Sequence, residues 1–368
     1  MVCEVRDLGR FVSKLSEVQQ VSLRLMHPLI PEWESAVLGL LDTILLKSCT
    51  SLSVKNLESS TYAGSKPSLQ LPPLTWPASM VFAAYRYFFE KPRRAPHLTT
   101  CNIQALPRFL LPFYEHALNA SSITSLSFKH IFNAQKWAVF SERLYLPKLE
   151  HLSITHCAIL AQPLETFFLR HSSISSLDLR HNSLMPLHPT RLAKGILPRL
   201  AKLQTSPDYI TRYFPVTGTF PMMASISTTI GHKTHHFDRV NDLLGCIRTC
   251  RSDLTLTLTF GYSAGLETWL RGEEPQMRVE PTLHCVKALE LDSWPNQGGF
   301  KESTLILIAR WLALFPAVER ISIHRRCFLD STELNNLFFQ HLKRALVPRI
   351  FDYNTTQAGL YISESRSI

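Results

Sequence analysis

Residues 149–159 read Leu-Glu-His-Leu-Ser-Ile-Thr-His-Cys-Ala-Ile, and residues 174–184 read Ile-Ser-Ser-Leu-Asp-Leu-Arg-His-Asn-Ser-Leu. Aligned on their first residue, both stretches carry apolar side chains at positions 1, 4, 6 and 11, with Cys157 or Asn182 at position 9. Alternation around positions 4 to 6 is the period of a short strand with one face in a core. A Cys or Asn three places later falls in the turn, where an inward side chain serves backbone groups that the turn leaves unpaired.

This is the pattern of a leucine-rich repeat, and it continues in phase on both sides. Ile123, Leu126 and Phe128 match the strand, with Ile131 where Asn or Cys is expected. Leu200 and Leu203 match it again, followed by Thr205, Asp208 and Ile210 as a degenerate continuation. The starts at 123, 149, 174 and 200 are separated by 26, 25 and 26 residues. Between strands the period changes: Pro163 to Arg170 places Pro in a first helical turn and apolar residues on one helical face, and Thr190 to Ile196 reads as the next helix, stopped before Pro198. Strand, turn and helix at this period imply an α/β right-handed leucine-rich-repeat solenoid, a horseshoe with a concave parallel β-sheet and convex helices.

Weaker units extend the array. Val18, Val21 and Leu23 fit one strand, Leu52, Val54 and Leu57 another, and Leu98 to Ile103 a third, ahead of a helix-like stretch from Phe109 to Ala117. Downstream, Leu254 to Phe260 alternates strictly; Val286, Leu289 and Leu291 fit the pattern, as do Val318, Ile321 and Ile323. The organisation expected is one repeat domain over 1–352, clearest over 123–210, and a polar tail over 353–368. The Ser/Pro-rich stretch 58–79 and the Thr/Ser/Gly-rich stretch 215–236 read as insertions on the rim, where loops carry specificity.

Composition narrows the function classes. The chain has 368 residues, 45% of them hydrophobic, enough for a continuous core. A net charge of +10 admits acidic partners or nucleic acid, but the basic runs Lys91 to Arg94 and His324 to Arg326 are short, and no zinc-finger spacing accompanies them. Eight scattered cysteines show no paired spacing and read as reduced thiols. The N-terminus lacks an apolar signal core, and the apolar stretch from Thr304 to Val318 is broken by Arg310 and too short to span a bilayer. The expectation is a cytoplasmic or nuclear protein with no membrane association.

The Cys at position 9, the period of 25–26 residues, and the segments LPKLEHLSITHC (146–157) and LLKSCTSLSV (45–54) resemble fungal F-box proteins with cysteine-containing leucine-rich repeats. That resemblance implies a substrate-capturing repeat region of a ubiquitin-ligase adaptor, with a Skp1-type adaptor engaged through an F-box. No F-box is visible in this sequence: Leu8 to Leu15 reads as the convex helix of a repeat already under way.

Positions 3, 5, 7 and 8 face the concave surface. The candidate partner-binding residues drawn from them are Lys129, His130, His151, Thr155, His156, Asp178, Arg180 and His181. Because parallel strands lie about 4.8 Å apart, His130, His156 and His181 are expected to form one column. A column of parallel imidazoles without a carboxylate or thiolate is a poor metal shell, so no metal or cofactor is expected. The cluster His232, His235 and His236 reads as exposed polar sequence.

A competing motif is Gly261-Tyr262-Ser263-Ala264-Gly265, a G-x-S-x-G sequence after a strand. With Asp292 and His324 it would make a serine-hydrolase triad. Hydrolase strands, however, are buried on both faces and read as continuous apolar runs, whereas the strands flanking Ser263 alternate. The expectation is therefore a binding protein and not an enzyme, with a basic nucleic-acid-binding solenoid as the further alternative.

Overall fold

The computed structural model describes residues 2–25, 31–56, 97–105, 107–131, 133–185, 196–207, 209–210, 222–230, 235–248, 253–260, 269–271, 283–293, 302–324, 340, 351–356 and 359–364. In chain order these begin with α1 (Val2–Lys14), β1 (Gln20–Leu25), α2 (Pro31–Leu45), β2 (Ser51–Asn56), β3 (Thr100–Gln104), α3 (Leu111–Asn119), β4 (Ser125–Lys129), α4 (Ala134–Arg143), β5 (His151–Thr155), β6 (Ala158–Leu160) and α5 (Ala161–Arg170). There follow β7 (Ser176–Asp178), β8 (Ser183–Met185), β9 (Lys202–Thr205), β10 (Ser225–Ile230), α6 (His235–Ile247), β11 (Leu254–Phe260) and β12 (Val286–Ser293). The last elements are α7 (Glu302–Trp311), β13 (Arg320–His324), β14 (Phe351–Thr356) and β15 (Gly359–Glu364). The helix expected over Thr190 to Ile196 and the insertion 58–79 lie outside the described residues, apart from Ile196.

The architecture is mixed α/β, with an open, predominantly parallel sheet. The chain divides into two units: Met1–His171 with Asn182–Pro186, and Ser172–His181 with Leu187–Ile368. In the first, β1 to β5 run parallel in sequence order, and β6 pairs with β8 in a small second sheet. In the second, β7, β9, β10, β11, β12 and β13 also run parallel in sequence order. Along these parallel strands the order follows the sequence without a reversal; only at the C-terminal edge, where β15 lies between β13 and β14, does it change.

One backbone contact recurs between successive strands. The Gln19 carbonyl accepts the N–H groups of both Thr50 and Ser51 at 2.9 and 3.0 Å; Thr50 accepts from Thr99 and Thr100, Thr99 from Thr124 and Ser125, and Thr124 from Glu150 and His151. In the second unit Ser175 accepts from Ala201 and Lys202, and Ala201 from Ala224 and Ser225. The residue before each of these carbonyls is apolar, from Val18 and Cys49 to Leu98, Ile123, Ile174 and Leu200. The units of β1, β2 and β3, faint in the sequence, are thus joined like the clear central ones.

The core of the first unit forms between one sheet face and the helices. Leu126, Phe128, Leu152 and Ile154 from the strands and Trp137, Phe140, Leu164 and Phe167 from α4 and α5 are all at most 3% exposed. Phe128 meets Trp137 edge-on at 4.8 Å and Phe140 at 5.8 Å, geometry that the aromatic quadrupole favours. In the second unit Leu256, Leu258, Leu289, Leu291 and Ile321 line the sheet, with Val240, Leu243, Trp311 and Phe315 over it.

The open C-terminal end of α4 is satisfied from neighbouring elements, as buried helix ends require. The Arg170 guanidinium donates to the carbonyls of Ser141 at 2.7 Å, Glu142 at 2.6 Å and Leu144 at 3.1 Å. Asn119 donates to Arg143 O at 2.9 Å and accepts the Tyr145 N–H at 2.7 Å. Beside them the buried His171 ring bonds Phe167 O through Nδ1 at 2.6 Å and accepts the Leu146 N–H at Nε2, 3.0 Å away.

Two stretches depart from the sequence reading. Within 215–236, read as an irregular insertion, Ser225–Ile230 forms the regular strand β10, paired with β9 and β11, and His235 opens α6. Ile226, Thr228 and Ile230 point inward, at most 4% exposed; a threonine in the central inward position broke the apolar pattern. Residues from 353 onward, read as a polar tail, complete β14 and supply β15, an antiparallel hairpin laid on β13.

Candidate binding face

The turn that follows each central strand sets the face. Ala105, His130, His156 and His181 stand at the equivalent position in four successive units, and all have left-handed backbone, with φ of 54, 57, 55 and 59°. This conformation is uncommon outside glycine, although His is among the residues enriched in it. In the last three of these turns it swings the chain so that the next residue, Ile131, Cys157 or Asn182, is brought under the strand ends. Asn182 Oδ1 accepts the Cys157 N–H at 2.8 Å, and its amide donates to the Ile154 carbonyl. One unit earlier, the Cys157 sulfur accepts the Ile131 N–H at 3.4 Å and lies 3.3 Å from the Thr155 carbonyl. These pairs are separated by 25 and 26 residues. Burial pushes the Cys157 thiol up to about 11, so it serves as a protonated turn cap and not as a nucleophile.

On the other face of the first unit, the strand register aligns side chains in transverse rows. One row is Gln20, Ser51, Thr100, Ser125 and His151; the next is Ser22, Ser53, Asn102, Ser127 and Ser153; the third is Arg24, Lys55, Gln104, Lys129 and Thr155. No Asp or Glu stands in any of the three. Among the described residues, no salt bridge engages Arg24, Lys55 or Lys129. Just beyond, His130 and His156 stack at 4.9 Å with their planes 14° apart. Burial lowers the pKa of His130, and the charges of Lys55 and Lys129 lower it further, so the positive character of this face comes from the three long cations.

The second unit has a different face. Asp178 and Arg180 pair with each other through two contacts of 2.9 Å, and the pKa of His181 is lowered by burial first and by Arg180 second. Thr257 donates to Glu290 at 3.0 Å across β11 and β12, and Asp292 lies half-buried further along β12.

Of the residues expected to meet a partner, Lys129, His130, His151 and His156 therefore share the face of the first unit. Thr155 lies in register with Lys129 but is 6% exposed, leaving little surface for contact. Asp178, Arg180 and His181 belong to the second unit, where the first two engage one another. Sequence reasoning passed over Arg24, Lys55 and Gln104, although it had assigned their strands; carrying position 7 through the weaker repeats would have found them.

Ser263 and its glycines lie outside the described residues; Asp292 and His324 sit on the adjacent strands β12 and β13. Among the described residues, no group of three or more His, Cys, Asp or Glu is placed to hold a metal ion, and no helix is long and apolar enough to cross a membrane. No disulfide joins Cys3, which is exposed, or Cys49, Cys101 and Cys157, which are buried. Comparison with protein-family models and with curated proteins finds no match for this chain.

Proposed function

We propose that this chain is a leucine-rich-repeat solenoid whose concave, sheet-side face recognises a protein, as in the substrate-binding region of an F-box-type ubiquitin-ligase adaptor. The observation that carries the reading is the pair of turn caps at a 25–26 residue interval, Asn182 under Cys157 and Cys157 under Ile131. Such a ladder commits one sheet face to the core and leaves the other lined with polar side chains in register. A parallel sheet with one wet face offers a broad, rigid surface, which suits recognition of a macromolecule more than enclosure of a small substrate. A Skp1-type adaptor would join through an F-box segment, not through this face.

The hydrolase alternative draws less support. Ligand and catalytic sites of open α/β sheets sit where the order of parallel strands reverses, and the parallel strands β9 to β13 around the motif follow one another in sequence order. Strand β11 also alternates between buried and half-exposed residues along its whole length.

The test is a partner isolated with the full chain and retested against two sets of variants. Lys129→Glu with His156→Glu, on the sheet face, is expected to abolish binding; Glu165→Lys with Leu169→Lys, on the outer surface of α5, is expected to leave it intact. The reverse pattern overturns sheet-face recognition.

A further inference from the structure

We propose that the sheet face of the first unit takes an extended acidic peptide, laid across the strands so that Arg24, Lys55 and Lys129 meet carboxylates on alternate residues. This rests on the sheet-face reading above and adds the chemistry of the partner.

Spacing supports the match. Arg24 and Lys55 are direct neighbours, and Lys129 is two strands beyond Lys55 in the same row. With strands about 4.8 Å apart, the row from Arg24 to Lys129 spans about 14 Å. An extended chain rises about 3.4 Å per residue, so side chains on one side recur every ~7 Å and three of them cover the same span. Gln104, between Lys55 and Lys129, can both donate to and accept from the peptide backbone.

Charge supports it as well. The three transverse rows hold no carboxylate, so no described residue within them neutralises these cations, and a polyanion gains from all of them at once. The rows hold no Phe, Tyr or Trp on which bases stack. Three cations also give a shallow phosphate track by the standard of nucleic-acid binders. Both points favour a peptide over single-stranded nucleic acid.

The experiment is fluorescence polarisation with the full chain and a labelled Gly-Glu-Ser-Glu-Ser-Glu-Gly peptide at low ionic strength, beside its Gln-substituted counterpart and a short single-stranded oligonucleotide. The Glu peptide is expected to bind and the Gln peptide to bind at least about tenfold more weakly. Lys55→Glu with Lys129→Glu should abolish binding, Lys55→Gln with Lys129→Gln should weaken it, and Lys202→Glu on β9 should change nothing; circular dichroism confirms that each variant is folded. Absence of Glu-peptide binding, binding indifferent to the Lys55 and Lys129 variants, or tighter oligonucleotide binding lost in the same variants each overturns the proposal. A natural partner that depends on Lys129 and His156 while the Glu peptide is ignored removes the acidic class and leaves sheet-face recognition standing. A partner indifferent to the sheet face removes both.

Discussion

Asn182 holds the turn of Cys157 from the next turn along the sheet edge: its carboxamide accepts the Cys157 N–H at 2.8 Å and donates to the Ile154 carbonyl. Two backbone groups at the end of β5 thus depend on one side chain 25 and 28 residues later. Asn182→Ala leaves both without a partner and should lower stability by about 1–3 kcal/mol in urea unfolding. Asn182→Cys should recover part of the loss, because Cys157 performs the same task for Ile131. Equal loss in both variants would mean that the turn does not need this cap.

Leu152 and Leu177 stand at the same position of the 25-residue sequence pattern and are 2% and 1% exposed. Truncating either to Ala should cost about 2–5 kcal/mol through a cavity. Leu169→Ala, at a site 59% exposed on α5, should fall within about 0.5 kcal/mol of wild type. A mild effect at Leu152 would argue against the repeat register.

His171 makes stability depend on pH. Burial, with a further push from Arg170, lowers its pKa from the usual 6.5 to about 4 despite the Phe167 hydrogen bond. The neutral ring is the folded form, and on acidification the unfolded chain takes up this proton first. Its contribution is complete above about pH 6.5 and declines as pH falls towards 4, with a slope of at most about 1.4 kcal/mol per unit. Urea midpoints measured across that range should fall in wild type and change less in His171→Gln.

Thiol reactivity should divide sharply. Cys3 is exposed, whereas Cys101 and Cys157 are buried, with pKa values pushed well up and up to about 11 by desolvation. Iodoacetamide at pH 8, with the sites located by mass spectrometry, should alkylate Cys3 quickly and the other two only as the protein opens. Equal rates at Cys3 and Cys157 would contradict the inward turn.

Arg170 serves three carbonyls at the end of α4 with one planar group. Arg170→Lys should retain less than half of what Arg170→Ala loses, since an ammonium cannot present the same fork. Thermal unfolding of the two variants makes the comparison.

The central units were readable in advance because their inward residues are apolar and their caps are the residue types the turn demands. Strand β10 was not, because Thr228 is fully buried in a position that reads as polar, amid Ser, Thr and Gly. The α4 end was also hidden: Arg170 and His171 look like the ordinary close of their own helix, while their partners lie 25 to 29 residues earlier. For the sheet face, the alternation shows that Lys55 and Lys129 point outward, but only the strand register shows that they share a row with Arg24. A polar residue carries no local mark of its cross-strand neighbour.

The recurring joint in which one carbonyl receives two N–H groups from the next strand is written almost entirely in main-chain atoms. A unit joined this way places few demands on the identity of its neighbour, so units can be duplicated, lengthened by an insertion or replaced while the seam stays the same. Mutation can then rewrite most of the letters of such a chain and leave its grammar intact, and the surface it displays is free to change faster than the scaffold changes its form.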